Sequence, residues 1–540
     1  MDLAQFVHTV RYLKPRQLVY RGFYAARKRF GGEALRSVSG AHAGHSLNLA
    51  ASIPRAHSND ENRFSFLNLQ QEFSGAIDWD FQKYGRLWTY NLNYFDFLNQ
   101  EGMSKDRGLE LIHQFLTSLD GLETAWEPYP TSLRLVNWIK FLSCEKVRDP
   151  AIDKSLYVQS VNLTRQLEYH LLGNHLLENG FGLLFAAVFF ADSEFLRLAR
   201  EILEPELKEQ VLADGAHFEL SPMYHQILLD RLLDCINLLQ NNRPLGEDLL
   251  PLLTDKASAM LGWLEKMTFA NGEIPLFNDA ACGIAPFSSQ LFEYAERLGV
   301  QKKTLPLGES GYRRFESPGA ELLVDVGAIG PDYIPGHAHA DTLNFELALW
   351  GERVIVDTGT STYEKNAERQ RQRGTAAHNT VTIDGQDSSE VWGGFRVARR
   401  ARPFGLKIDE QPEKTTISCA HDGYRRLPRK PGHSRCWEFG QASLTVVDTV
   451  AGEFVEAVAR YHFHPDVQVA MVDNKRGIGR MKGGKEFSFW VISGVPRLCE
   501  STWHPEFNVS LKNTCLEVAL EGKAAAVRFE WNENEDSVPH

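Results

Sequence analysis

Apolar side chains recur three and four residues apart through the first half of the chain. They do so in SLRLVNWIKFL (132–142), VNLTRQLEYHLL (161–172), FLRLARE (195–201), ILLDRLLDCINLL (227–239) and LLPLLTDKASAMLGWLEKM (249–267). That spacing predicts helices with one buried face. In the fourth segment, Leu228, Leu229, Leu232, Leu233 and Ile236 mark the buried face and Asp230, Arg231 and Asp234 are expected outside. Gly, Pro or Asn break the pattern in LLGNHLLENG and ELSPMYHQ. Near residue 305 the period changes. In LNFELAL (343–349) apolar residues alternate with Asn344 and Glu346, and RVIVD (353–357), NTVTID (379–384), SLTVVDTV (443–450), VEAVARYHF (455–463), FSFWVI (487–492), CLEVAL (515–520) and AVRFEW (526–531) follow. Many short strands with no long helix between them predict antiparallel sheets packed as a sandwich. The expected layout is an α+β multidomain protein: a basic N-terminal segment (1–60), a helical domain (61–305) and an antiparallel β-sandwich domain (306–540).

Charge narrows the partners. A net charge of −12 over 540 residues argues against a general nucleic-acid binder, yet a local basic patch in an acidic chain can still hold an acidic polymer. Seven scattered cysteines with no CxxC predict neither a disulfide framework nor a cysteine-rich zinc site. The N-terminus shows no secretory h-region, and the most apolar run, LLFAAVFFA (183–191), is too short to span a bilayer. The expectation is a protein without a transmembrane segment, cytoplasmic by default, or periplasmic if a leader has been removed. Residues 11–29 carry seven Lys/Arg with aromatics between them. They are expected to form a basic surface helix with its apolar face on the protein, a membrane-surface helix being the alternative.

The densest chemistry lies between Gly336 and Asn379. His337 and His339 are two apart, so on an extended chain they point the same way. Asp357 closes the run VIVD and His378 opens NTVTID. Imidazoles with a carboxylate are what Zn²⁺ accepts. HAHAD is also similar to the HxHxD of zinc hydrolases with a metallo-β-lactamase fold. Thr342 stands where those continue with His, and the lack of interleaved helices disfavours that architecture.

Two polar breaks in the helical half offer further candidates: Asn174 and His175 in GNHLLENG, and Asp214, Glu219, Tyr224 and His225 in DGAHFELSPMYHQ. Each also fits a capping or turn device. Trp88, Asn91 and Asn93, and then Trp126, Tyr129, Arg134, Asn137 and Trp138, set aromatics beside Arg and Asn, a mixture that suits sugar rings as well as an ordinary core. Arginines 369, 371 and 373, then 396, 399, 400 and 402, form a basic zone near the candidate metal ligands. Bidentate pairing of Arg with carboxylate or sulfate would suit anion recognition there.

Taken together, GNHLLENG, DGAHFELSPMYHQ, GHAHADTLNFEL, VIVDTGT, AAHNTVTIDGQDSSE, HDGY (421–424) and HSR (433–435) resemble the heparinase II/III-like family of polysaccharide lyases. The resemblance implies an incomplete (α/α) toroid followed by an antiparallel β-sandwich, and β-elimination of an acidic, uronate-containing polysaccharide. It implies that Asn174 and His337 neutralise the uronate carboxylate, that His175 lies beside the reacting sugar, and that Tyr224 is the catalytic acid and can also be the base. It implies a structural Zn²⁺ on His339, Asp357 and His378. Trp88, Asn91, Trp126, Arg134, Asn137, Arg369 and Arg373 are the expected substrate contacts. Some members carry a second tyrosine between the aspartate and the last histidine. Tyr363 is the only tyrosine there and its offset does not match closely, so no second catalytic tyrosine is expected. A tyrosine base would need nearby positive charge, from His337, Arg134 or the arginines at 369–373. Two other classes stay open: a glycoside hydrolase using carboxylates such as Asp214 and Glu219, and a non-catalytic glycan-binding or assembly protein.

Overall fold

The computed structural model describes residues 3–29 and 42–532. Two helices, α1 (Leu3–Val10) and α2 (Pro15–Arg29), precede a small three-stranded sheet over residues 59–72. The helical half follows as α3 (Arg86–Tyr94), α4 (Lys105–Ser118), α5 (Pro128–Cys144), α6 (Pro150–Thr164), α7 (Gly173–Phe190), α8 (Ser193–Gln210), α9 (Pro222–Asn241), α10 (Leu250–Met267) and α11 (Ser288–Arg297). Successive helices pack on one another, α5 on α7, α7 on α8 and α9, and α9 on α10 and α11, in an incomplete toroid. Side-chain caps start several of them: Asp149, Asp192 and Ser221 accept from backbone N–H groups at the first turns of α6, α8 and α9, which satisfies donors that the helix itself leaves open. Residues 30–41 of the basic N-terminal segment lie outside the described residues.

The periodicity of α9 placed its core correctly, but its polar residues are not outside. Asp230, Arg231 and Asp234 are buried along with the leucines. The reason is that α9 is central. Lys140 of α5 donates to Asp234 at 2.7 Å, Arg55 lies 2.6 Å from Asp230, and Arg231 lies 3.5 Å from Glu178 of α7. Buried charges persist only when paired in this way.

Beyond Tyr312 the chain is almost entirely strand. An eight-stranded antiparallel sheet runs in the spatial order 403–411, 414–421, 432–440, 443–451, 524–531, 486–493, 476–480 and 468–471. Two four-stranded sheets face it, one of strands 312–317, 320–325, 345–349 and 352–355, the other of 495–503, 511–519, 457–462 and 381–383. Phe345, Trp437, Tyr461 and Phe529 bring rings from all three sheets into one core, the interdigitation a sandwich requires.

The alternation in 343–349 marks a strand, and every residue of strand 345–349 is buried, Glu346 included. Its second face lies on the helical half, where Glu346 accepts from the Leu276 N–H at 2.8 Å and pairs with Arg353. Trp263, Met267 and Phe277 meet Tyr312, Leu323 and Ala348 in a small core across the junction. Asp214 closes the link by accepting from the Gly308 N–H (3.0 Å), the Ser310 N–H (2.9 Å) and the Ser310 hydroxyl (2.6 Å). These contacts fix how the loops of one half meet those of the other.

Candidate active site

A cavity of about 700 Å³ opens along this junction. Asn174, His175, Tyr224 and His337 all line it, with Asn91, Tyr90, Tyr94, Tyr129 and Tyr363. Tyr224 sits in the first turn of α9, where Ser221 caps the Tyr224 N–H at 3.3 Å. Its ring lies 3.9 Å from that of His337, centroid to centroid. A tyrosine from the helical half and an imidazole from the β half thus share one wall.

Asn174 and His175 open α7. The turn before them uses Gly173 at φ +60°, and a Cβ there would come within 2.7 Å of Glu219 Oε1, so the approach of α7 to Glu219 depends on glycine. Asn174 donates its backbone N–H and its side-chain amide to Glu219, both at 3.0 Å. The carboxylate sits at a helix N-terminus, where the peptide dipoles favour negative charge. His337 Nε2 faces the same carboxylate at 3.5 Å. Among the described residues, Glu219 is the one acceptor of the Asn174 side-chain amide.

Asp279, which the sequence reading did not single out, is the hub behind the site. It accepts from His337 Nδ1 (2.9 Å), His339 Nε2 (2.8 Å) and both terminal nitrogens of Arg369. Burial alone would raise its pKa, but the Arg369 guanidinium and the two imidazole donors hold Asp279 well below the usual carboxylate range.

Burial pushes Tyr224 well above the ordinary phenol value, and Tyr363, Asp279 and Glu219 push it further. The resting Tyr224 is therefore a phenol, contrary to the expectation that nearby cations would lower it. Tyr363, where no second catalytic tyrosine was expected, also lines the cavity. Its hydroxyl lies 3.2 Å from that of Tyr224, and the Arg369 guanidinium lies 4.9 Å from its ring centroid. Spacing along the sequence missed it because α12 (Ala367–Arg373) and the loop before it fold back over the junction.

Burial disfavours the charged form of His175, yet the Glu168 carboxylate 3.0 Å from its Nδ1, with Glu219 and Glu178 beyond, raises it above the ordinary histidine value. His225 is structural: it receives the His217 N–H at 3.2 Å and donates to the Met260 carbonyl at 3.0 Å, and burial lowers it to about 3.

Of the expected substrate contacts, only Asn91 lines the cavity. Trp88 is buried and donates to the Leu69 carbonyl at 3.1 Å, and Trp126 to that of Leu119 at 3.1 Å. Arg134 is buried on Gln159 (2.7 Å) and the Asn93 carbonyl (3.1 Å), and burial lowers it to about 9. Asn137 ties the Tyr94 carbonyl to Asp96. Arg369 is held by Asp279, and Arg373 bonds the Ala338 carbonyl at 2.8 and 3.1 Å. These side chains shape the wall from behind. Arg399, Arg400 and Arg402 are paired with Glu390 and Asp332, so the basic zone is largely neutralised. The cations that do line the cavity are Arg55, Arg86, Arg231 and Lys365, alongside the carboxylates of Asp96, Asp230 and Glu364.

Behind the hub lies a second cluster. Asp341, Asp357 and His378 are fully buried, with donor atoms within 4.8 Å of one another. Asp341 is new to the set, and His339 stands at its edge, its ring centroid 5.2 Å from that of His378. His339 Nδ1, His378 Nε2 and one Asp341 oxygen are buried without a hydrogen-bond partner. Burial raises Asp341 to about 7, and Asp357 adds to the rise. Paired buried carboxylates and orphaned imidazole nitrogens fit a divalent cation. The His339–Asp279 bond is the carboxylate–histidine support that metal ligands commonly have.

The molecule is thus a helical toroid joined to a β-sandwich, with a Tyr/His/Asn cavity where they meet. Residues 79–298 match the Heparinase II/III N-terminus and residues 301–532 the Heparinase II/III-like, C-terminal domain, and the chain belongs to that family. It is 25% identical over 341 residues to a heparin-sulfate lyase of Pedobacter heparinus, covering 57% of this chain and 49% of that one. It is 23% identical over 375 residues to the heparin-sulfate lyase of Bacteroides stercoris, covering 61% and 54%. The chain therefore spans about half the length of these curated relatives. In fold it resembles a heparinase III crystal structure (TM-score 0.67, 15% identity, 86% of this chain and 81% of that one). It also resembles the heparan sulfate lyase HepC of P. heparinus (TM-score 0.57, 18% identity, 88% and 82%).

The Glu168–His175 pair carries a pH signature. Because His175 is raised in the folded state, its contribution to stability is full below about pH 6.5 and lost as pH rises through the folded-state value. Glu168→Gln should lower the His175 titration seen by ring-carbon NMR and remove that part of the pH dependence. An unchanged His175 titration would contradict the pairing.

Proposed function

We propose that this chain is a polysaccharide lyase that cleaves a uronate-containing polymer by β-elimination, leaving a 4,5-unsaturated uronate. The observation that carries the reading is the close approach of the Tyr224 and His337 rings, 3.9 Å apart, in the cavity that also holds Asn174 and His175. The proton at C5 of a uronate is poorly acidic while the neighbouring carboxylate is fully anionic. Donors aimed at that carboxylate favour the enolate-like intermediate. The Asn174 amide and His337 are the donors at hand. Tyr224, a phenol at rest, suits delivery of a proton to the leaving glycosidic oxygen. Tyr224 and Tyr363 share a hydrogen bond beside Arg369, so a tyrosinate on Tyr363 would be favoured by Arg369 and by the Tyr224 hydroxyl. The pair can take the C5 proton and supply the leaving-group proton on one face of the sugar. His175 stands ready for the opposite stereochemistry.

The hydrolase alternative loses its carboxylates. Asp214 does not line the cavity and is occupied by the 308–310 link, and Glu219 is held by Asn174. The charge balance of the cavity bears on substrate. Four lining cations face three lining carboxylates, and Arg55, Arg86 and Arg231 each have acidic neighbours. Such a wall complements a chain bearing one carboxylate per repeat better than a densely sulfated one.

A divalent cation, Zn²⁺ by its donor set, is proposed for Asp341, Asp357 and His378, with His339 adjoining. Bound there it would cross-link the loops that carry His337 and supply no chemistry to the sugar.

Two experiments follow. On a panel of uronate polymers read by ultraviolet absorbance, unsulfated chains should react faster than heparan sulfate. Tyr224→Phe should lose activity by about 10²–10⁴-fold with its melting temperature kept. A fully active Tyr224→Phe enzyme would remove Tyr224 from the mechanism. Elemental analysis of the purified protein should find a divalent metal at about one per chain, and His378→Ala should lose both the metal and thermal stability. Equal metal content in the variant and the parent would refute that site.

A further inference from the structure

The first two helices carry a surface that the elimination chemistry does not use. Contrary to the expected arrangement, α2 docks by its polar and aromatic side. Gln17 is buried and donates to the Leu171 carbonyl at 3.0 Å, Tyr20 packs on Tyr169 at 4.8 Å, Arg21 donates to the His170 carbonyl at 3.2 Å, and the Tyr24 hydroxyl donates to the Leu167 carbonyl at 2.6 Å. Residues 17, 20, 21 and 24 form one helical face. The opposite face carries Leu18, Val19, Gly22, Phe23 and Ala26. Val19 is 67% exposed, Phe23 54% and Leu18 47%. On α1, Leu3, Phe6 and Val7 share a face and are exposed as well, while Thr9 receives the Trp392 indole N–H at 3.1 Å. The usual amphipathic arrangement is turned inside out, with hydrogen bonds toward the protein and aliphatic side chains toward solvent.

The two helices themselves carry charge of one sign, although Lys14 pairs with Glu209. Residues 3–29 hold seven Lys/Arg and no Asp or Glu, in a chain whose net charge is −12. Arg11, Arg16 and Arg29 are exposed beside the aliphatic face. A second copy of this chain would bring two cationic faces together, which repel. An acidic polysaccharide would satisfy the arginines but leave the aliphatic stripe in water. An anionic lipid surface takes both, with the apolar face in the acyl boundary and arginines at the headgroups. Among the described residues no helix is long and apolar enough to cross a membrane, so the contact would be peripheral.

We propose that α1 and α2 together dock the protein on an anionic bilayer. Arg400 stacks over Tyr12 at 3.9 Å, and Trp392 bonds Thr9. The docked helices therefore abut the 391–397 hairpin, whose Phe395 lines the cavity. Docking would set that edge of the cavity beside the membrane, where a polymer still attached to lipid would be presented.

The test is co-sedimentation of the full chain with vesicles of phosphatidylcholine alone or with about 30% phosphatidylglycerol. Partition onto the anionic vesicles should be at least about tenfold greater and fall as salt rises. The double variant Val19→Asp/Phe23→Asp should lower that partition at least about tenfold while its melting temperature stays that of the parent. Absence of binding to anionic vesicles would overturn the proposal, as would a double variant that binds like the parent. A concentration-dependent dimer that the same variant dissolves would also overturn it, assigning the stripe to self-association.

Discussion

The carboxylate of Asp279 is the point on which the two halves agree. It belongs to the α10–α11 loop of the helical half, yet its partners His337, His339 and Arg369 all come from the β half. Three charged or polar donors on one buried carboxylate make a network in which each bond depends on the rest. Removing one member would leave a buried charge without compensation, at a cost on the order of 3–5 kcal/mol. The network aims one face of His337 at Tyr224 and leaves the other ring nitrogen toward Glu219. It also fixes His339, whose ring lies 5.2 Å from that of His378 in the buried cluster. Position and charge at the cavity wall are therefore set from behind, by groups that touch no sugar.

A second layer supports that hub. Arg435 in the eight-stranded sheet is held by Asp448 and donates to the Leu343 carbonyl at 2.9 Å and to the Asn379 carbonyl. Asn379 in turn donates to the Phe345 and Val356 carbonyls, both at 2.9 Å. The strand ends that carry Asp341, Asp357 and His378 are thus bound to the sandwich core. This explains why HDGY and HSR, far from the cavity, accompany the other motifs. His421, His433, Asp448 and Arg435 form a buried chain that anchors the loop.

The fold class was legible because helical and strand periods dominate separate halves, as in α9 and in strand 443–451. What periodicity could not show was where a second layer covers a polar face. Asp230 and Glu346 look like surface residues by spacing but are buried, because α9 is central and strand 345–349 lies between two packed bodies. The cavity residues Asn174, His175, Tyr224 and His337 were legible through their motifs. Arg134, Asn137 and Arg373 misled because a buried arginine bonded to carbonyls has the same local sequence as one facing a ligand. Asp279 and Asp341 gave little signal, since a single aspartate in FNDAAC or HAHAD acquires meaning only once the halves meet. Tyr363 escaped for the same reason, as its partner Tyr224 is 139 residues away.

Electrostatics then give the site its character. Tyr224, kept neutral by burial, lies beside a His337 oriented by an ionised Asp279. This arrangement suits proton transfer at carbon beside a carboxylate better than activation of water through Asp214 or Glu219, both of which are held by other groups.

Cleavage in water enriched in ¹⁸O, followed by mass spectrometry of the fragments, tests that claim most directly. Elimination forms the new chain end by breaking C–O and C–H bonds, so the account predicts unsaturated ends with no heavy oxygen incorporated. One ¹⁸O per broken linkage, on saturated ends, would show that water attacks the sugar and would contradict it.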